Sequence, residues 1–364
     1  MAPPRPVADE HIEADSELAD GDSTYEGSLG DASYTTSITS SIKHYKYENG
    51  RRYHAFKEGE YFLPNDEEEQ DRMDLSHHIY RTLLGGKTYT APVPEDVQRV
   101  LDLGTGTGIW AIDFADEHPS AEVIGNDLSP IQPSWTPPNC KFEVDDFEAT
   151  WSYSKPFDYI HGREMEGMVR DLDKLFKQAY DNLAPGGFFE MQSIIGEFYG
   201  DEGTGKGQSL RKWVDLVVEA TGKFGKPMRQ VHTWAEKMEK AGFKNITSQQ
   251  LIVRSLVSFI PQICQAMLPV GLNNYMSNME IAKYQLPFGP WPKDRKLKEL
   301  GRYHQLQLFQ ALGAYSLGPL TRAMGWSPAE IEVLLSGVRK DLKDTSLHCY
   351  TKVHFVYGQK VVMD

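Results

Sequence analysis

The chain has 364 residues, 40% of them apolar, which is long and apolar enough for one large core domain with insertions. Its 38 Lys and Arg against 52 Asp and Glu give a formal charge of −14, which argues against a broad nucleic-acid surface, since that needs basic groups to neutralise phosphates. Three widely spaced cysteines, Cys140, Cys264 and Cys349, are odd in number and fit no metal pattern, so they argue against a disulfide framework and for a reducing compartment.

Residues 1–40 are acidic, rich in Ser, Thr and Gly and poor in apolar groups. Such a composition buries too little to offset the entropy of ordering and reads as a disordered tail. It carries no apolar leader, and no run along the chain reaches the ~18 apolar residues of a membrane span. The expected location is the cytosol, with the nucleus open and no membrane partner. Residues 41–97 form an aromatic and charged segment with a helix expected over 66–84. Its apolar positions Met73, Leu75, Ile79, Leu83 and Leu84 keep helical spacing only roughly. The adjacent His77 and His78 are not a metal pair, because neighbouring helix residues face different ways.

The core is expected over 98–254. It opens with R-V-L-D-L-G-T-G-T-G at 99–108, an apolar strand running into glycines at 104, 106 and 108, with apolar helix positions at Ile109, Ile112 and Ala115. Strand, glycine turn and helix make the entry half of a nucleotide-binding βαβ unit. The glycines let a ligand approach the backbone, and the helix start offers unpaired N–H groups. A dinucleotide fingerprint needs G-x-G-x-x-G, yet position 109 is Ile. No Gly-Lys-Ser/Thr follows for a phosphate loop. Asp102 before the first glycine suits an ammonium or sulfonium better than a pyrophosphate. These details point to S-adenosylmethionine.

A second strand, A-E-V-I-G-N-D, ends in Asp127, and an acid about 20 residues past the glycines can accept ribose hydroxyls. A third, K-F-E-V-D-D-F-E, brings Asp145 and Asp146, one of which can accept the adenine amino group, with Phe147 against the ring. The fourth, P-F-D-Y-I-H-G, leads into R-E-M-E-G and a helix over 172–183. Pro185-Gly186-Gly187 then stops that helix and opens a fifth strand at Phe188. Alternating strands and helices of this length mean an α/β fold with a parallel sheet and right-handed crossovers. Helices over 205–222 and 232–241 precede a further strand, F-K-N-I-T-S-Q-Q-L-I-V-R. A helical insertion is expected over 255–345, with helices near 293–314 and 327–343. Met267, Met276 and Met279, with Tyr275, Tyr284, Phe288 and Trp291, are candidates there for an adaptable apolar pocket. The final strand, within 346–364, alternates through Cys349, Thr351, Val353, Phe355 and Tyr357 and suits pairing with the earlier one.

The block V-L-D-L-G-T-G-T-G-I-W-A-I-D-F-A, with D-L-S-P-I-Q-P-S-W and F-E-V-D-D, resembles the fungal LaeA-like class I methyltransferases of secondary metabolism. The flanking Y-E-N-G-R-R-Y-H, Y-F-L-P-N-D-E-E-E-Q-D-R, L-P-F-G-P-W-P-K-D and V-R-K-D-L-K-D extend the resemblance over about Tyr45 to Lys360. It implies a seven-stranded Rossmann-like sheet with an antiparallel last strand, an N-terminal lid and S-adenosylmethionine as cofactor. Asp102, Gly104, Thr105, Gly106 and Gly108 would hold the methionine end. Asp127 and Leu128 would take the ribose, and Asp146 with Phe147 the adenine. Arg163 would lie near the sulfonium or the acceptor, and Arg52, Arg72 or Tyr61 of the lid would bind the cofactor carboxylate. Gly162 and Glu164 depart from the bulkier and neutral residues that the resemblance leads one to expect.

An oxygen or nitrogen acceptor of high pKa needs a general base within hydrogen-bond reach. His161 and Glu164 are the catalytic candidates after the fourth strand, with His77 or His78 behind them; a carboxylate acceptor would need none. The reading that follows is methyl transfer to an O, N or S atom of a small-molecule acceptor. Three others stay open: a nuclear regulator working through protein partners or protein methylation, a catalytically silent binding fold, and a dehydrogenase.

Overall fold

The structure is a computed structural model and describes residues 45–57, 59–200, 205–251 and 285–361. The tail expected over 1–40 and the candidates Cys264, Met267, Tyr275, Met276, Met279 and Tyr284 lie outside the described residues.

A short hairpin of Lys46–Glu48 (β1) and Arg51–Tyr53 (β2) leads to helix Glu67–Leu83 (α1). Asp66 caps α1 by accepting from the Glu69 amide at 3.1 Å. The same carboxylate receives Arg51 through two N–H groups at 2.6 and 2.8 Å, which ties the hairpin to the helix start. Glutamates 67, 68 and 69 fill the first turn, where negative charge complements the helix dipole.

Strands and helices then alternate: Arg99–Leu103 (β3), Ile109–Glu117 (α2), Glu122–Asp127 (β4), Cys140–Val144 (β5), Phe157–Arg163 (β6), Leu172–Asn182 (α3) and Leu183–Ile194 (β7). Helix Gln208–Lys223 (α4), a 3-10 turn at Val231–Thr233, helix Trp234–Ala241 (α5) and strand Lys244–Leu251 (β8) follow. The last part holds Gln285–Pro287 (β9), Arg295–Met324 (α6), Pro328–Lys343 (α7) and Tyr350–Gln359 (β10). The central sheet has the order β5-β4-β3-β6-β7-β10-β8, with β9 paired to the start of β10. β3 to β7 pair in parallel, while β10 runs antiparallel to both β7 and β8. This is the α/β architecture with an antiparallel last strand that the sequence led us to expect.

Side chains alternate across the strands, and both faces are covered, which is why the strands read as nearly continuous apolar runs. Val100, Val123 and Tyr159 meet Trp110, Ala111 and Phe114 of α2 on one face. Leu101, Ile160 and Phe189 meet Phe176 of α3 and Trp234 and Met238 of α5 on the other. Beyond the sheet, α4, α6 and α7 build a core of their own around Trp213, Leu312 and Leu335. Helix α1 packs Ile79 and Leu83 against Leu300 of α6 and Phe355 of β10.

Two element boundaries differ from expectation. β7 begins at Leu183 because Pro185-Gly186-Gly187 is a register irregularity within the pairing with β6 and not a break. A Cβ on Gly187 would lie 2.8 Å from the Asp158 carbonyl oxygen, so the two backbones touch there. Helix α6 runs ten residues past the expected end at 314, through Gly318 and Pro319 to Met324. A Cβ on Gly318 would sit 2.3 Å from the Phe62 carbonyl oxygen. Packing against the chain at 62 thus overrides the helix-breaking signal of the Gly-Pro pair. Among the described residues no helix is long and apolar enough to cross a membrane.

Candidate active site

The carboxyl ends of β3, β4, β5 and β6 open into one cleft, enclosing about 1110 Å³ of space with the solvent at its mouth included. Residues 60–77 of the N-terminal segment and Tyr315 of α6 close its other side. Its site residues come from loops because parallel strands of one sheet deliver their ends to one edge.

Gly104, Gly106 and Gly108 all have positive φ, at 61°, 58° and 81°. The first two line the cleft with Thr105 between them. Gly108 is not among the residues that line it. It is the N-cap of α2, and a Cβ there would lie 2.3 Å from the Phe142 ring, so its glycine serves packing.

Asp127 and Leu128 line the cleft at the end of β4. The Asp127 carboxylate accepts from the Gly106 amide at 2.9 Å and the Ser129 amide at 2.8 Å. Burial nevertheless pushes its pKa up to about 6, against the lowering effect of those amides. Asp146 and Phe147 also line the cleft. Asp146 receives Lys57 on one oxygen and the Glu148 amide at 2.8 Å on the other. Asp145, the other acid of the pair, is exposed and outside the cleft lining, and its carboxylate takes the Asp146 amide at 2.8 Å. In a turn after a strand, successive side chains diverge, and only one of the two acids can face the ligand space.

Asp102 is almost fully buried. One of its oxygens accepts from Thr105 Oγ1 at 2.6 Å and the other meets His161 Nδ1 at 2.8 Å. The His161 ring lies flat on Trp110, centroids 3.8 Å apart and planes 7° apart. Burial lowers its pKa, so the ring is neutral with the Nδ1 proton donated to Asp102. His161 Nε2 is then a lone-pair acceptor, and it is buried without a partner among the described residues. Ser76 Oγ, on α1 at the same cleft, is likewise buried and unpartnered.

Arg163 donates to Gln192 at 2.9 Å, to the Thr88 carbonyl at 3.0 Å and to His77 Nδ1 at 3.0 Å. No carboxylate pairs with it among the described residues, and burial lowers its pKa. His77 is thereby removed as a base: Nδ1 receives Arg163, and Nε2 donates to Asp113 at 3.0 Å. His78 is exposed with its ring edge on Tyr303, away from the cleft. Arg72 lines the cleft, but the two-pronged side of its guanidinium is held by Glu69 at 2.9 and 2.7 Å. Arg52 is outside, paired with Glu67 at 2.7 Å. Tyr61 lines the cleft, stacked beside Phe62.

Glu164 has φ of 57°, a left-handed conformation that costs about 1–2 kcal/mol for a residue with a Cβ. Such strain persists where surrounding structure over-determines it, often at functional sites. Its amide donates to the Gln192 carbonyl at 2.8 Å, and its carboxylate receives the Tyr80 hydroxyl. Burial raises the Glu164 pKa. With Arg72 and Tyr315 it lines both the cleft and a second, mostly apolar chamber beside α4 and α6.

Trp110, Ser76, Tyr80 and Tyr315 were not singled out from sequence. Trp110 had a local signal, one residue into the helix after the glycines. The other three reach the site only through the packing of α1 and α6.

A family profile described as a methyltransferase domain matches residues 75–248. "Methyltransferase pytC" of Aspergillus terreus is 35% identical over 92% of this chain and 93% of its own length. "Secondary metabolism regulator LAE1" of Cochliobolus heterostrophus is 35% identical over 84% of this chain and 92% of its own. "Protein-methionine methyltransferase laeA" of Emericella nidulans is 32% identical over 86% of this chain and 76% of its own. With the mostly parallel sheet and the glycine-lined cleft at its carboxyl edge, these matches place the chain in the LaeA-like family of S-adenosylmethionine-dependent methyltransferases.

Proposed function

We propose that this protein methylates an oxygen, nitrogen or sulfur atom of a small molecule in fungal secondary metabolism. The observation that carries the reading is the position of Glu164, on the wall shared by the donor cleft and a second, mostly apolar chamber. The residues fit the cofactor: two glycines leave room for close backbone approach, and two buried polar atoms, Ser76 Oγ and His161 Nε2, lack partners. When bound, S-adenosylmethionine supplies a methyl group on a positively charged sulfur.

Asp127 would accept the ribose hydroxyls, with Leu128 beside them. Asp146 would accept from the adenine amino group with Phe147 on the ring. Asp102, with Thr105 and the glycine loop, would face the ammonium end, and Arg163, which has no carboxylate of its own, would take the cofactor carboxylate. That last role goes to Arg163 ahead of Arg72, whose fork already holds Glu69. Tyr61 and α1 would act as the lid. His161 is a positioning residue in this scheme, since Asp102 and Trp110 fix its ring. Glu164 is the general base. Alignment and exclusion of water supply the rest of the acceleration.

A second reading, a regulator acting on protein, draws on the printed names of the LAE1 and laeA relatives. Calorimetric titration of the purified chain with S-adenosylmethionine and S-adenosylhomocysteine comes first. Micromolar binding of both, followed by a mass gain of one methyl in small acceptors, supports the proposal. Glu164→Gln should then lower turnover by about 10²-fold or more while leaving S-adenosylhomocysteine binding intact. Turnover on protein substrates alone would favour the regulator.

A further inference from the structure

The second chamber encloses about 750 Å³, solvent at its mouth included. Trp213 and Val217 of α4, Leu308 and Ala311 of α6, with Phe288 and Met228, give it apolar walls. Its polar lining is one-sided in charge. Glu164, Glu166 and Glu197 face it, and Arg72 is the one Lys or Arg among the described lining residues. Arg72 brings little net charge, because Glu69 neutralises it through two hydrogen bonds at 2.9 and 2.7 Å.

Two further groups point to a ligand. His304 is 1% exposed and donates from Nδ1 to the Pro287 carbonyl at 2.9 Å. Burial pushes its pKa down to about 4, so the ring is neutral and Nε2 is left as an acceptor. Gln307 is 5% exposed and lines the same chamber from α6. A neutral imidazole and an amide set in an otherwise apolar wall are where a ligand's polar substituent finds its hydrogen bonds.

We propose that this chamber is the acceptor subsite, and that it takes an apolar molecule carrying an amine or hydroxyl and rejects one carrying a carboxylate or phosphate. The inference rests on the methyl-transfer reading. Apolar walls hold the body of the acceptor, and His304 Nε2 with the Gln307 amide fixes a polar substituent. An anion would meet the acidic groups of Glu164 and Glu197 and no unneutralised cation among the described lining residues. Glu166, its pKa pushed up to about 7 by burial and its carboxylate bonded to the amides of Arg229 and Gln230, adds less than a full charge. Like charges in a poorly solvated space repel. At Glu164 the acceptor's O–H or N–H proton passes to the carboxylate. The acceptor's lone pair forms the new bond to the methyl carbon, the carbon–sulfur bond breaks, and sulfur keeps that pair as a neutral thioether.

The test uses three ring-matched probes, tyramine, 4-ethylphenol and 3-(4-hydroxyphenyl)propionate, titrated calorimetrically into the full chain saturated with S-adenosylhomocysteine. Tyramine and 4-ethylphenol should bind at least about ten-fold tighter than the propionate. Ala311→Trp, which fills the chamber from α6, should abolish probe binding and leave S-adenosylhomocysteine affinity within about two-fold. Should that variant fail to fold, Glu197→Gln at a half-buried position should shrink the gap between tyramine and the propionate to about three-fold or less. Propionate binding as tight as the other two overturns the proposal, as does probe binding that survives a folded Ala311→Trp or no probe binding at all. Failure of S-adenosylhomocysteine to bind is a different result and sinks the methyl-transfer reading itself.

Discussion

Asp127 shows how one side chain couples ligand binding to pH. Burial raises its pKa to about 6 in the ligand-free fold, against 3.8 for the unperturbed side chain, so the fold favours the protonated form. This group therefore costs stability as pH rises from about 4 to about 6, and the cost stays in force above that. A ribose that donates to the carboxylate favours the charged form and offsets that cost. S-adenosylhomocysteine affinity should therefore tighten as pH rises through about 6, by about ten-fold between pH 5 and 7.5, and Asp127→Asn should flatten the profile. Titrations at those two pH values decide it, and an equally steep profile in the variant would show that another group is responsible. The glycines at 104 and 108 make a matched pair, since both sit at positive φ and Ala costs each about 1–2 kcal/mol. At Gly104 the added methyl would lie 3.4 Å from Phe147 in the cleft, whereas at Gly108 it would press into the Phe142 ring away from it. Gly104→Ala should lose S-adenosylhomocysteine affinity by about ten-fold or more with a modest drop in Tm. Gly108→Ala should show the larger Tm drop and, once folded, near-normal affinity. The reverse ranking would return Gly108 to the ligand.

Among the elements, the strand-and-loop half of the cleft was legible because each of its lining residues lies within a few positions of a strand that announces itself by apolar runs. Asp102, Gly104, Asp127, Asp146, His161 and Glu164 all follow that logic. Asp145 and Gly108 lie off the cleft wall for local reasons: a turn sends adjacent side chains in different directions, and glycine serves packing as readily as ligand approach. The helix at 66–84 and Arg72 were legible as a lid segment, but Ser76 and Tyr80 of α1 and Tyr315 of α6 were not, because they depend on which helix face meets the sheet edge. Arg72 was visible as a charge, but its bond to Glu69 one turn away was not foreseen. Helix α6 is the clearest case, since its Gly318-Pro319 pair reads as a terminator and functions as a contact. Gly318→Ala would force a methyl to within 2.3 Å of the Phe62 carbonyl, a backbone atom that cannot swing aside. The variant should lose about 1–3 kcal/mol, as overpacked sites do, and weaken S-adenosylhomocysteine binding because Tyr315 and residues 61–63 separate. Unchanged Tm and affinity would mean that this contact does not hold α6 on the cleft.

At the scale of the whole molecule, the cleft is assembled from distant parts of the chain: residues 60–77, the loops after four strands, and Tyr315 of α6. Arg163, at the end of β6, ties that strand to the Thr88 carbonyl, to His77 of α1 and to Gln192 of β7. Asp74 of α1 also receives Thr107 of the glycine loop at 2.6 Å. A ligand seated among these parts binds the folded arrangement and not the unfolded chain, so at about 100 times its Kd it should add about 2.7 kcal/mol of stability. The distribution of that stabilisation is the more telling quantity. Hydrogen exchange with S-adenosylhomocysteine bound should slow in residues 60–77 and around Tyr315 as well as in the glycine loop, because all contribute to one enclosure. Protection confined to the loops after the strands would leave α1 and α6 as a scaffold that the cofactor does not engage. Protection that reaches Tyr315 would join the donor cleft to the helix whose Leu308 and Ala311 line the second chamber. Cofactor binding would then set the geometry in which the acceptor is received.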